Sequence, residues 1–219
     1  MTSMTAIPAA DRRHVRGDVA RKLNNALTMQ FRAGPDITVA TALQSGADGV
    51  GAKAGILFGF RNGGPGTHVL TSADGAELRI TSRADDSTLI GGSDGTVLVE
   101  VRRGDTSVAT LADGTEVFSV VPAPDGDRTV EAFRTVLLDP PGTRLARLDV
   151  IRSSAGWSLG RELADQIEWF GRAGQGLKLP VHGTALAFDR DPSDLEFDTA
   201  LAVCVDMAIG LRPYIAAMA

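Results

Sequence analysis

The densest group of chemically active side chains in this sequence is an acidic run near its C-terminal end. Five carboxylates stand close together there, at Asp189, Asp191, Asp194, Glu196 and Asp198. Clustered carboxylate oxygens are the ligands that Ca²⁺ requires. An EF-hand loop starting at the first of them would need glycine at its sixth place and glutamate at its twelfth, where the chain has aspartate and alanine. We therefore expect a solvated loop without metal, whose later acids favour the start of a helix.

Asp206 is a second unusual carboxylate, because it interrupts the apolar run "ALAVCVDMAIGL". An ionised carboxylate in an apolar interior costs several kcal/mol unless it is paired or hydrogen-bonded. We expect a structural role in which it accepts hydrogen bonds from backbone groups or an arginine. A catalytic or ligand-binding role is the alternative.

The other residue types that often serve as nucleophiles or metal ligands form no recognisable pattern. The three histidines, His14, His68 and His182, are far apart and lie in no metal-binding spacing. Cys204 stands in the middle of the apolar run, where a thiol behaves as a small hydrophobe. No serine close to Cys204 forms a G-x-S-x-G elbow, and the sequence lacks the G-x-x-x-x-G-K-[ST] order of a phosphate-binding loop. The sequence therefore predicts no catalytic residue, metal site or cofactor.

Positive charge is concentrated near the N-terminus, at Arg12, Arg13, Arg16, Arg21 and Lys22, although the chain has a net charge of -5. We assign these five residues as the candidate ligand-binding set. A basic amphipathic segment can lie on an anionic membrane surface or on a partner protein. Three roles stay open: packing against the rest of the protein with solvated arginines, binding anionic lipid or another polyanion, and binding a protein partner. The acidic balance of the whole chain argues against nucleic acid.

The basic residues belong to a segment with helical spacing. Residues 1–10 have the character of a disordered leader. Apolar residues then recur at every fourth position, at Val15, Val19, Leu23, Leu27 and Phe31. This is the spacing of one helical face, and Pro35 has no N–H with which to continue a helix. We predict an amphipathic helix over residues 11–34.

From Ile37 onward the pattern changes to short apolar and β-branched runs separated by turns. The runs that predict strands are "ITVATAL", "ILFGF", "THVLT", "AELRITS", "TVLVEVR", "SVATL", "TEVFSVV", "TVEAFRTVLL", "RLARLDVI" and "LPVHGTALAFD". Asp-Gly dipeptides, which tolerate the positive φ of tight hairpins, occur at Asp74-Gly75, Asp94-Gly95, Asp113-Gly114 and Asp125-Gly126. We predict an antiparallel meander, with a further helix over residues 158–170.

The apolar run from Ala200 to Leu211 predicts a helix buried on every side. Twelve residues form a helix of roughly 18 Å, whereas a bilayer span needs about 20 apolar residues. A surface helix would present a polar face, but apolar side chains cover nearly all directions here. A β-barrel wrapped around this helix would bury it, and we expect the protein to be soluble without detergent.

The meander with its Asp-Gly turns, the acidic segment and the helix "ALAVCVDMAIGLRP" together resemble the tubby C-terminal-like superfamily. Within it, the chain is most similar to the LURP-one-related and phospholipid-scramblase-like proteins. The resemblance covers roughly residues 37 to 215. It implies a mainly β fold with helices, in which about a dozen antiparallel strands close around a hydrophobic C-terminal helix. It also implies one domain over residues 35–219, and the acidic segment resembles in position the calcium-binding segment of scramblases.

The resemblance implies a non-enzymatic binding module that recognises anionic lipid head groups or a protein partner at a membrane surface. The alternative is an enzyme that uses carboxylates such as Asp189 and Asp191 in a cleft, which would need at least two titratable groups converging on one pocket. A single cysteine fits a reducing compartment, and a charged stretch stands where a signal peptide would be apolar. We expect a cytoplasmic location or a peripheral position at a membrane.

Overall fold

The computed structural model describes residues 12–21, 27–34, 37–44, 66–83, 85, 87–104, 106–123, 132–152 and 181–208. Within these ranges the chain forms twelve strands and one helix. Their bounds are β1 (His14–Arg21), β2 (Leu27–Ala33), β3 (Ile37–Gln44), β4 (Gly66–Ser72), β5 (Glu77–Ser82), β6 (Ser87–Gly92), β7 (Val97–Arg102), β8 (Ser107–Leu111), β9 (Glu116–Pro122), β10 (Ala132–Leu138), β11 (Arg144–Arg152), β12 (Val181–Phe188) and α1 (Asp194–Ala208).

The twelve described strands form one closed antiparallel barrel. Each strand pairs with the next along the chain, and β12 pairs with β1 to complete the ring. The strands alternate as the sequence suggests: in β5, Leu78 and Ile80 face the core while Glu77 and Arg79 are exposed. The predicted mainly β class and antiparallel barrel are confirmed.

Helix α1 lies inside this barrel. Every residue from Thr199 to Ala208 is buried, and the helix contacts β4 and β5 as well as β9, β11 and β12. Strands from different parts of the ring therefore surround it, which confirms the predicted barrel around a hydrophobic C-terminal helix.

The helix begins six residues before the predicted start at Ala200, because a capping box starts it. The backbone N–H of Ser193 donates to Glu196 Oε2 at 2.7 Å, and the backbone N–H of Glu196 donates to Ser193 Oγ at 3.3 Å. These bonds satisfy N–H groups that the first helical turn leaves without partners. The S-x-x-E pattern in "PSDLE" was the signal for this start.

The predicted N-terminal helix over residues 11–34 is wrong. Its described residues form β1 and β2, which pair with each other and close the barrel. The fourfold spacing misled because four is also a multiple of two, so residues four apart share one face of a strand as well. Val15 and Phe31 do face the core, as the spacing required. The barrel consequently includes residues before position 35.

The two ends of the barrel differ in their connections. At one end, which we call the turn end, five tight turns carry a glycine at positive φ, at Gly34, Gly75, Gly95, Gly114 and Gly142. Three of these are predicted Asp-Gly turns, which are confirmed. The connections at the opposite end lie wholly or partly outside the described residues.

Four other sequence predictions fall on residues that the structure does not describe, and one observed strand was not predicted. The leader over residues 1–10, the strand "ILFGF", the turn at Asp125-Gly126 and the helix over residues 158–170 lie outside the described residues. Strand β6 was not predicted, because its buried side chains Ser87 and Thr88 are polar and Leu89 beside Ile90 breaks the alternation. Thr88 Oγ1 donates to Asp206 in the interior, whereas Ser87 Oγ donates to Asp85 in the connection that precedes β6.

Candidate functional site

The first two candidate residues, Arg12 and Arg13, are bound to the acidic segment. Arg12 is buried and forms an ion pair with Asp194 in the first turn of α1. Its guanidinium also lies 5.5 Å from the ring centroid of Phe197, within cation–π range. Arg13 Nε donates to Asp191 Oδ1 at 2.6 Å. Both guanidinium groups are therefore paired with carboxylates of the same chain.

Two more arginines bind the same acidic segment, one from β11 and one from within the segment itself. Arg144, at the start of β11, donates to both carboxylate oxygens of Asp189, at 2.5 and 3.2 Å. Arg190 donates to both oxygens of Glu196, at 3.0 and 2.6 Å. We call these four pairs the collar; their carboxylates lie between the end of β12 and the first turn of α1.

One pair of the collar explains the lowered pKa of Glu196. Burial would raise the pKa of Glu196, but hydrogen bonds from Arg190 and Ser193 outweigh it and hold that pKa below its ordinary value. Asp198, the last acid of the segment, lies half-buried on α1. Among the described residues, no three His, Cys, Asp or Glu side chains converge as a metal site would require.

Arg16 has a different environment on the outer face of β1. It is exposed, and its Nε donates to Asp18 Oδ1 at 2.9 Å. Directly opposite on β2 stands Arg32, which is also exposed. Arg21 is the last residue of β1, and its side chain and all of Lys22 lie outside the described residues. Of the five predicted residues, Arg12 and Arg13 therefore lie together in the collar, while Arg16 lies on the outer wall.

Arg32 was not among the predicted site residues. A helix would have turned it away from Arg16, whereas the strand register places the two side by side. Its Nη2 donates to Gln30 Oε1 at 2.7 Å, and Gln30 Nε2 donates to Thr38 Oγ1 at 3.1 Å. A neutral amide therefore orients this guanidinium. Only the correct secondary structure would have revealed the pair.

Asp206 is bound within the barrel interior and is fully buried. Its two carboxylate oxygens accept hydrogen bonds from Ser82 Oγ and from Thr88 Oγ1, the latter at 2.6 Å. Arg103 Nη1 donates to Asp206 Oδ2 at 3.1 Å and to Thr88 Oγ1 at 2.8 Å. The predicted arginine partner is confirmed, and the other two donors named here are side-chain hydroxyls, which were not predicted. Every oxygen of the carboxylate is engaged.

The remaining candidate nucleophiles and ligands do not form a site with Asp206. Burial raises the pKa of the Cys204 thiol to about 12. The thiol is therefore protonated near neutral pH. His14 is exposed on β1 and His68 is buried on β4, and the side chain of His182 lies outside the described residues.

Asp189 and Asp191, the carboxylates of the enzyme alternative, are exposed and bonded to separate arginines of the collar. A comparison of the chain with protein-family models, curated proteins and solved structures found no match. In the part of the chain that the structure describes, no helix is long and apolar enough to cross a membrane.

Proposed function

We propose that this protein is a non-enzymatic binding module that recognises the anionic head group of a lipid at a membrane surface, through the outer wall of its barrel. The observation that carries the proposal is the filled interior. Helix α1 is buried from Thr199 to Ala208 inside the strands, and the carboxylate of Asp206 is bound by three side chains. A barrel whose axis is occupied in this way presents its outer wall to a ligand.

The resemblance to the tubby C-terminal-like superfamily supports the same proposal, because it implies a closed antiparallel barrel around a C-terminal helix and a binding role at a surface. A protein partner at the membrane is the other role that the resemblance implies. The charge distribution favours lipid: basic side chains collect on β1 and β2 of a chain with a net charge of -5. Anionic surfaces attract such local clusters.

The test is co-sedimentation of the whole chain with vesicles of phosphatidylcholine alone and with added anionic lipid. We expect binding only to the anionic vesicles at low salt. We also expect a steep loss toward physiological salt, because the Debye length falls from about 30 Å at 0.01 M to about 8 Å at 0.15 M. A wild type that ignores anionic vesicles at low salt would overturn lipid recognition and leave the protein partner.

Substituting all five predicted basic residues would not be a clean test. Arg12 and Arg13 hold Asp194 and Asp191, so their loss would disturb the start of α1. Arg12 is itself buried, so its replacement would also remove its contact with the ring of Phe197. The variants should therefore be chosen among exposed arginines.

A further inference from the structure

We infer that Arg16 and Arg32 form a two-arginine site on the outer face of β1 and β2 that takes a phosphate monoester group, presented by a membrane lipid. This inference deepens the proposed function and depends on it for the source of the phosphate. The site differs from the predicted basic set, which contained Arg16 but not Arg32.

The register of the sheet places the two arginines together. Arg16 and Arg32 are directly opposite each other in the antiparallel pair of β1 and β2, and both side chains are exposed. Residues opposite each other on one face have Cβ atoms about 5 Å apart, and like charges in this position are destabilising. A bound anion would offset this repulsion between the two exposed guanidinium groups.

The charges around this pair do not cancel it. Asp18 accepts a hydrogen bond from Arg16, while Arg32 is held by the neutral amide of Gln30. Among the described residues, no carboxylate lies within ion-pair distance of Arg32. The four arginines of the collar, by contrast, each have a carboxylate partner. Two guanidinium groups therefore stand beside a single carboxylate, and that carboxylate bonds only to Arg16.

The chemistry of two neighbouring guanidinium groups fits a phosphate monoester. Each guanidinium is a planar fork of N–H donors that matches two phosphate oxygens, and the monoester carries close to two negative charges at neutral pH. The flanking positions leave room for it. Ala185 stands opposite Arg16 on β12, and Thr38 stands opposite Arg32 on β3 with a hydroxyl that can donate.

The proposed function supplies the source of the phosphate, because it assigns the outer wall of the barrel to an anionic membrane lipid. Arg16 and Arg32 are exposed on that wall, so we infer that they meet the phosphate as part of a lipid head group.

The experiment compares Arg16→Gln/Arg32→Gln with a control that loses the same charge elsewhere, Arg79→Gln/Arg102→Gln. Both control arginines are exposed, and they lie on β5 and β7 without facing each other. The probes are vesicles containing phosphatidic acid, whose head group is a phosphate monoester, and vesicles of equal charge containing phosphatidylserine. Thermal melts of both variants check that the fold is unchanged.

We expect the wild type to prefer phosphatidic acid. We also expect the Arg16/Arg32 variant to lose roughly 30-fold in the partition coefficient for it, because each basic residue at an anionic surface contributes about 1 kcal/mol. The control should lose much less. Soluble glycerol phosphate, followed by NMR, tests the site without a membrane: the wild type should bind it, and Arg16→Gln/Arg32→Gln should not.

The outcomes separate this inference from the proposed function. If wild type binds anionic vesicles and both double variants lose equally, the paired site is overturned while the proposed function stands. If wild type binds glycerol phosphate through these arginines but ignores all vesicles, the phosphate site stands and the membrane is overturned as its source. If wild type binds neither probe, both proposals are overturned.

Discussion

At the scale of single residues, the most informative feature is the buried ion pair of Asp206 and Arg103. The two side chains are 0% and 5% exposed, and they meet near the end of the barrel opposite the turn end. Removing a charge from water is costly, and the pair is tolerable because Ser82 and Thr88 add hydrogen bonds. The pair links α1 to the β5–β7 part of the wall.

Breaking this pair from one side should be far worse than removing it whole. We expect Asp206→Leu or Arg103→Met alone to lower the free energy of unfolding by about 3–5 kcal/mol, because each leaves an uncompensated buried charge. Urea denaturation of the single and double variants gives the coupling energy, and the double variant should cost clearly less than the sum. Arg102→Met, at an exposed neighbour, is the control. Additive costs would show that the pair is not coupled.

At the scale of elements, barrel closure depends on the close approach of β1 and β12. A Cβ added at Gly183 on β12 would overlap the backbone carbonyl oxygen of Gly17 on β1. Backbone atoms cannot turn away as a side chain can. Glycine is therefore required where the first and last strands of the ring meet.

Gly183→Ala should consequently destabilise the protein by about 1–3 kcal/mol or more, through overpacking between strands. The control is Gly104→Ala, whose Cβ would meet Thr106 O at 3.4 Å, an ordinary contact. Hydrogen exchange of the β1 and β12 amides should locate the damage at this pair of strands. A Gly183→Ala variant with the unfolding midpoint of Gly104→Ala would refute the steric argument.

At the scale of the whole molecule, three aspartates with lowered pKa values lie in tight turns at the turn end. Hydrogen bonds from Thr96 and Thr115 lower the pKa values of Asp94 and Asp113 below their ordinary 3.8, and a bond from Ser72 does the same for Asp74. The collar lies at this end too. A carboxyl group with a lower pKa in the folded state stabilises that state above its unfolded pKa, and the contribution disappears as pH falls through the folded pKa.

We therefore expect the melting temperature to be nearly constant from neutral pH to about pH 5 and to fall below about pH 4, where these groups begin to protonate. Asp94→Asn/Asp113→Asn should show a shallower fall, because two of the contributing carboxylates are gone. Differential scanning calorimetry against pH measures both curves. Parallel curves for wild type and variant would mean that these turns do not contribute to the acid sensitivity.

Much of the architecture followed from local patterns in the sequence. Alternation in runs such as "TVLVEVR" marked strands, and three Asp-Gly pairs marked hairpins that the glycine φ angles confirm. The C-terminal run was apolar in all directions, so only a surrounding wall could bury it. These features depend on neighbouring residues along the chain, which a sequence displays directly.

The tertiary structure alone decided what depends on distant partners. Residues 14–21 and 27–33 could satisfy their apolar spacing as a helix or as strands, and pairing with β12 and β3 made them strands. Arg12 and Arg13 find their carboxylates at Asp194 and Asp191, far away in the sequence. The register of β1 and β2 brought Arg16 opposite Arg32. Spacing along a chain determines which side chains share a face, but only the folded barrel determines what each face meets.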